Sequence, residues 1–417
     1  MERQSRVSLV DLIKYVITEG IVRGGSSYKS LLLGLALMAI YGLYLWIFVQ
    51  HAPIFFGSDA GGMIVTGMSN SVPWGLYISF FIFWVGVAAA GIMFGLAGYV
   101  FHHKGFKQVT VVAEVQAIAA ILIAMMLLLV DVGRPIRVLI LMPQLPNFPQ
   151  SILDWDFIVL STYLILNIIA YVYVLKKLLA GQEPSLKFEH IFIVIAAPFA
   201  IGIHTVTAFI SQALVARPYW NSPLLAPRYV ATAFASGPAL LLLVLLIAES
   251  RMGLKVDFDV YKKTVYVIVG SLVIGLYFTL SEVQEIFWYT TEPLKRAQAS
   301  ILFFGKHVWW LGFLGWLWVI LGITAVLLSF IPAVRNTRRG IAVLSIIVII
   351  AVICEKTLTI VIPAFTPDSL GQVVGYVPTP IEVAITLGVH AIGLMVYAIL
   401  ARSALKLVIQ RQSVGHT

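Results

Sequence analysis

Ten apolar runs, each long enough to cross hydrocarbon as a helix, constrain this chain more than any other feature of its sequence. They lie near 29–50, 73–101, 109–131, 154–179, 189–216, 229–249, 264–288, 304–330, 338–361 and 379–402. A bilayer core needs about 20 apolar residues per helical span. In lipid every backbone N–H and C=O must find its partner within the segment, so each run is expected to be an α-helix. None shows the in-out alternation of a membrane barrel strand. The expected fold class is all-α integral membrane, with about ten transmembrane helices.

Composition leaves no room for a soluble domain: 60% of the 417 residues are hydrophobic and 11% charged, and the mean hydropathy is +0.97. No short apolar stretch followed by a small-residue cleavage site opens the chain, so the first span is expected to act as the insertion signal. Residues 7–19 place Val10, Ile13 and Ile17 on one face and Asp11 and Lys14 on another. That pattern fits a helix lying in the membrane interface and equally an ordinary polar tail.

Positively charged loops resist translocation. Of the 28 lysines and arginines, twenty fall on the side of the N-terminus and seven on the other, with Lys356 inside a span. Both termini are therefore expected in the cytoplasm, in a multi-pass cell-membrane protein. The net charge of +9 reads as a topology signal; no basic stripe suggests nucleic acid.

With that orientation, depth can be counted at about 1.5 Å per residue along each helix. Asp131, His204, Glu282, Glu285 and Glu355 fall in the outer part of their spans, and Lys306, His307 and Glu382 begin helices at the outer side. Toward the inside stand Glu114, Gln116 and Glu249, with His390 near the middle. Charge inside a membrane is costly and usually marks a site or a pathway; packing of helices by paired charges is the plainer alternative. Glu114, Glu249, Glu282, Glu285, Glu355, Lys356 and His390 are candidates for a proton path. The single cysteine, Cys354, leaves no ligand set for an iron-sulfur cluster in this chain. No four histidines are placed to clamp a haem pair; His204 and His390, well inside spans, leave a single bis-histidine haem open, and no other metal site is expected.

Three segments are informative together. Pro73-Trp74-Gly75 opens a long helix carrying Gly86, Gly91, Gly95 and Gly98, suited to an interface start and close helix packing. The third span ends in Asp131-Val132-Gly133-Arg134-Pro135. An aspartate there opposes the helix dipole, and Arg134 is the nearby cation. The fifth span carries His204, Ser211 and Gln212 and leads into Arg217-Pro218-Tyr219-Trp220-Asn221-Ser222-Pro223.

In that order and spacing these segments resemble the NrfD and polysulfide-reductase membrane-anchor family, most strongly over residues 70–250. Within it the wording is most similar to the DsrP-type subunit of the menaquinol-oxidising, heterodisulfide-reductase-like DsrMKJOP complex. The resemblance implies two antiparallel four-helix bundles flanked by the first and tenth helices. The expected division is 1–28 as a cytoplasmic segment, 29–72 as first helix and outer loop, 73–216 as first bundle with the quinone site, 217–361 as second bundle, and 362–417 as tenth helix and tail. It also implies a haem-free subunit exchanging electrons between menaquinone near the outer surface and an extracytoplasmic ferredoxin-like iron-sulfur partner, within a complex of DsrM-, DsrK-, DsrJ- and DsrO-like subunits linked to sulfur or sulfite metabolism.

The residues suit quinone chemistry on their own terms. His204 can donate to a carbonyl and take a proton, with an unperturbed pKa of about 6.5. Asp131 can pass it on; burial would raise its proton affinity and Arg134 lower it, and sequence leaves both open. Trp74, Tyr77, Arg134, Trp220 and Ser222 are candidate quinone contacts, although interface tryptophans are commonly anchors. Two other classes fit a ten-helix chain: a secondary transporter, against which Pro198 and Pro238 interrupt the fifth and sixth spans without matching breaks in a second half, and a passive anchor.

Overall fold

A computed structural model describes residues 7–57, 62–145, 147–306, 309–356, 367 and 370–414. The elements that organise it are α1 (Leu9–Ile17), α2 (Ser26–Leu45), α3 (Leu76–Val87), α4 (Ala90–Gly95), α5 (Lys104–Asp131), α6 (Ile152–Leu179), α7 (Leu186–Gln212), α8 (Leu225–Met252), α9 (Phe258–Gln284), α10 (Pro293–Phe304), α11 (Trp309–Phe330), α12 (Arg338–Ile353) and α13 (Pro380–Val414). Among the described residues nine helices are long and apolar enough to cross a membrane. α12 is the described part of the expected span 338–361; residues 357–361, like His307, lie outside the described set.

Helix contacts sort the spans into two bundles. α3 with α4, α5, α6 and α7 make one; α8, α9, α11 and α12 make the other, joined through α8 against α3 and α7. α2 and α13 pack on each other and reach the first bundle through α13 against α5. Gly42 and Gly388 face one another where α2 crosses α13: a Cβ on Gly42 would lie 2.6 Å from the Gly388 Cα. Small residues let membrane helices approach this closely.

α1 is capped reciprocally by Ser8 and Asp11 and leaves Val10, Ile13 and Ile17 exposed, the arrangement expected of an interface helix. Tyr15 bonds the Ser403 carbonyl of α13 at 3.1 Å, and Arg402 bonds the Glu19 carbonyl at 2.9 Å. The N-terminal segment thus lies beside the C-terminal end of α13, and both ends occupy one face, called here the termini face.

The second span is interrupted. Between α3 and α4, Ala88 and Ala89 leave the regular ladder, and Ala89 N–H bonds the Gly86 carbonyl at 3.2 Å. Gln116 Nε2 reaches toward the Val87 carbonyl at 3.4 Å and bonds that of Gly237 at 2.8 Å. Gly237 is needed there, since a Cβ would meet the Val87 oxygen at 2.7 Å.

Candidate functional site

His204 lies on α7 about 12 Å from its outer end at the helical rise, is 3% exposed, and is set by its hydrogen bonding. Its Nδ1 lies 2.6 Å from the Ala200 carbonyl oxygen. Both ring nitrogens face carbonyls, which only accept; the short contact at Nδ1 assigns the proton of the neutral ring there and leaves the lone pair on Nε2. That Nε2 is buried without an ordinary hydrogen bond, close to the Gly86 carbonyl and electrostatically coupled to Lys356. One turn further out, Thr207 donates at 2.8 Å to Asp156 Oδ1, whose other oxygen is buried without a partner.

Asp131, at the end of α5, belongs to a different cluster. It is half-buried, its Oδ1 makes no hydrogen bond, and its electrostatic neighbours are Tyr77 and Glu382. Tyr77 donates to Gln50 Oε1 at 2.7 Å, and Gln50 donates to the Val130 carbonyl at 2.7 Å. Glu382 accepts from Gly67 N–H at 2.9 Å, from Leu76 N–H at 3.1 Å and from the Tyr376 hydroxyl. This cluster and His204 lie against different faces of α3. The expected partnership of Asp131 with Arg134 is not made: the chain turns at Gly133, Arg134 is exposed, and no ion pair among the described residues joins the two.

Trp74 and Trp220 do meet, with ring centroids 5.2 Å apart. Trp220 and Ser222 are buried, and the Ser222 carbonyl accepts from Gln212. Arg217 ties this loop to the Ser71 carbonyl at 3.1 Å, and Gln298 of α10 accepts from Tyr219 N–H at 3.1 Å. The 217–224 loop is thereby clamped over the ends of both bundles that lie opposite the termini face.

The expected proton-path residues separate into five places. Glu282, Glu355 and Lys356 converge on Arg228: Arg228 pairs with Glu282, its Nε is 3.2 Å from Glu355 Oε1, and Lys356 Nζ is 3.8 Å from Glu355 Oε2 and 3.8 Å from the Tyr229 ring centroid. Arg228, counted from sequence as an outer-loop cation, is 3% exposed; the carboxylates of Glu282 on α9 and of Glu355, just beyond α12, draw it inward. Glu285 pairs with Lys295 at 2.8 Å near the surface, and Glu249 with Arg338 at 2.6 Å on the termini face. His390 accepts from Trp84 Nε1 at 2.8 Å and holds the Thr386 carbonyl at 2.7 Å through Nδ1, so both ring nitrogens are satisfied in the neutral form.

Glu114 stands apart, toward the termini face. Tyr99 donates to its Oε1, while Oε2 is buried without a partner. Beside it opens a cavity of about 790 Å³ lined by Tyr99, Lys104, Lys107, Glu189, Lys255 and Arg411, among others; Lys107 and Glu189 pair across it at 2.8 Å. From Glu114 polar groups continue outward. Tyr163, buried on α6, reaches toward the Ala88 carbonyl at 3.5 Å, and accepts through its own carbonyl from Asn167 at 2.7 Å. The α3–α4 break carries this series to Gly86, beside His204. Among the described residues no group of three or more His, Cys, Asp or Glu side chains is placed to hold a metal ion.

Sequence reasoning missed Arg228, Asp156, Gln50 and Glu189. Each lies within a few residues of a span end, where a polar side chain reads as an interface anchor, and only tertiary packing shows it turned inward.

The family model of "Polysulphide reductase, NrfD" matches residues 64–366. The chain belongs to the NrfD family. It is similar to a dimethyl sulfoxide reductase membrane protein of Halobacterium salinarum, with 27% identity over 409 residues, covering 87% of this chain and 88% of that one. It is also similar to a selenate reductase component of Mesobacillus selenatarsenatis, with 25% identity over 73% of this chain and 76% of the relative. The "Hdr-like menaquinol oxidoreductase integral membrane subunit" of Archaeoglobus fulgidus is 23% identical, over 92% and 96% of the two chains. The NrfD match covers both helical bundles of this multi-pass membrane protein.

Proposed function

We propose that this NrfD-family chain is the quinone-reactive membrane subunit of an oxidoreductase complex, with His204 and Asp131 as proton-handling groups and menaquinone or menaquinol as substrate. One observation carries the reading: His204 is held as a neutral ring whose Nε2 lone pair is buried and unspent. Burying a polar atom without a partner is costly, and a ligand hydroxyl is the kind of group that would relieve it. The relatives named as reductase and menaquinol oxidoreductase membrane subunits support the same reading.

In this role His204 Nε2 takes the proton of a quinol hydroxyl, while Ala200 keeps the ring in the right tautomer. The Trp74–Trp220 pair, with Tyr77, Arg134 and Ser222 on the same side, closes the outer end against water. Electrons leave to an iron-sulfur partner docked over the 217–224 loop, on the extracytoplasmic side if the termini are cytoplasmic. Partners of the DsrM, DsrK, DsrJ and DsrO type and a link to sulfur or sulfite reduction follow the DsrP-type resemblance. The series from Glu114 through Tyr163 to His204 connects the site to the termini face and supports coupled proton movement.

The test is steady-state oxidation of a menaquinol analogue by the purified complex carrying His204→Gln. Loss of about 10²-fold in rate is expected, the scale of a general base, with assembly of the complex unchanged. An unaltered rate would remove His204 from the chemistry.

A further inference from the structure

The geometry points to a binding site for one anionic phospholipid on the termini face, with its phosphate among Lys255, Arg338 and Arg339 in the groove between α8 and α12.

A cavity of about 520 Å³ opens there, lined by Leu246, Glu249, Lys255, Arg338, Arg339 and Ala342, among others. Its charges do not balance. Glu249 is the one acid of this lining, and it is spent: Arg338 donates to it from Nε at 2.6 Å and from Nη2 at 3.0 Å, and the Val256 N–H reaches it at 3.3 Å. Among the described residues neither Lys255 nor Arg339 makes an ion pair. Arg338 and Arg339 are, moreover, the first two residues of α12, whose opening turn carries no acid. The partial positive charge of a helix N-terminus disfavours cations, so two arginines there are a cost to the protein alone, and an anion seated beside them relieves it.

The cations are held ready. The Arg338 guanidinium lies 5.7 Å from the centroid of the Phe258 ring. Gln412 of α13 bonds both backbone groups of Lys255, at 3.1 and 2.7 Å.

The surface leading away from them identifies the anion as a lipid. Arg339, Ala342, Val343 and Ile346 share one stripe of α12 at helical spacing. Val343 and Ile346 are 53% and 48% exposed, and Ile247 of α8 is 60% exposed, so the stripe runs about 10 Å from the cations into the hydrocarbon. A soluble anion, or an acidic segment of another subunit, has no use for that apolar track. A phospholipid uses both parts, the cations for its phosphate and the track for an acyl chain. A zwitterionic headgroup brings its own cation and leaves the excess charge uncompensated.

The experiment titrates the purified complex, stripped of lipid by detergent exchange, with phosphatidylglycerol and counts bound lipid by native mass spectrometry. At equal lipid concentration the wild type should carry one phosphatidylglycerol that the Lys255→Gln/Arg339→Gln complex lacks. That variant should bind it at least tenfold more weakly, since each basic residue near an anionic headgroup contributes a factor of about five. Both residues are exposed, so the fold is left intact, and Arg339→Lys, which keeps the charge, should bind as the wild type does. Lys29→Gln/Lys187→Gln removes two exposed cations elsewhere on the same face and should change nothing. Equal losses in the two double variants would reduce the effect to diffuse surface charge and overturn the site. Equal binding of phosphatidylcholine would overturn it as well, and so would displacement of the lipid by inorganic phosphate, the mark of a free-anion site. If the Lys255→Gln/Arg339→Gln complex instead sheds a subunit with its lipid count unchanged, the groove is a protein contact and the lipid site falls.

Discussion

Tyr99 donates a 3.0 Å hydrogen bond to Glu114, and the tyrosine also forms part of the wall of the wide cavity on the termini face. A carboxyl removed from solvent is thus one hydrogen bond from water-accessible space. In proteoliposomes, Glu114→Gln should slow quinol-linked proton release to that face by about 10²-fold, the scale of a lost proton-transfer group. Tyr99→Phe should slow it less. A pH-sensitive dye trapped on the termini side reads both, and equal release by wild type and Glu114→Gln would take the glutamate out of the path.

Arg228 is the hub of the second bundle, and its removal leaves Glu282 and Glu355 facing each other in a low-dielectric interior. Breaking a buried ion pair typically costs about 3–5 kcal/mol, so Arg228→Met should lower the thermal midpoint in detergent substantially. Adding Glu282→Gln should recover part of the loss, because it withdraws one of the stranded charges. A single variant as stable as the wild type would show that the cluster contributes nothing to folding.

His390 is a proton-path candidate by its depth in the membrane, but Trp84 and the Thr386 carbonyl use both of its nitrogens. Trp84→Phe should cost about 1–3 kcal/mol, the scale of an orphaned buried acceptor, and leave proton release per electron unchanged. A stable variant with altered proton stoichiometry would restore His390 to the path.

His51, just beyond α2, holds the Val132 carbonyl at 3.1 Å through Nε2, with Nδ1 buried and unpartnered. Burial pushes its pKa below the ordinary imidazole value, against the smaller opposing effect of the backbone bonds. The folded state therefore resists protonation, and the undocked segment takes the proton first. Docking of this segment is strongest where the ring is neutral in both states and weakens as pH falls below about 6.5. Protection of amides around residues 51–57, taken relative to the intrinsic exchange rate at each pH, should fall between about pH 7 and pH 5.5, the window in which an ordinary imidazole gains its proton, and His51→Gln should flatten that dependence.

How much of the molecule is legible in its sequence differs by kind of constraint. Spans are readable because a bilayer imposes length and hydropathy on each segment independently of its neighbours. Depth counting places Glu282, Glu355 and Lys356 at the same level of the membrane, and the fold joins them. It also puts Glu285 at that level, although Glu285 pairs nearer the surface with Lys295, and it places Glu249 toward the other side, where Glu249 pairs with Arg338. Depth along a helix is available from sequence, but azimuth is not. Asp131 and His204 show the same gap: both lie toward the outer side, yet α3 stands between them. Arg228 is hidden by a rule of thumb, since a cation within a turn of Pro227 counts toward topology unless the carboxylates waiting on other helices are known.

The interruption between α3 and α4 has an effect of its own. Carbonyl oxygens that an unbroken helix would spend on its own ladder face Gln116, Tyr163 and the neighbourhood of His204. On the path proposed above, passage along this stretch would depend on main-chain acceptors, which have no charge to lose and do not titrate. Its control would then be conformational: straightening a few residues near Ala88 would close the proposed path with every acid and base still in place.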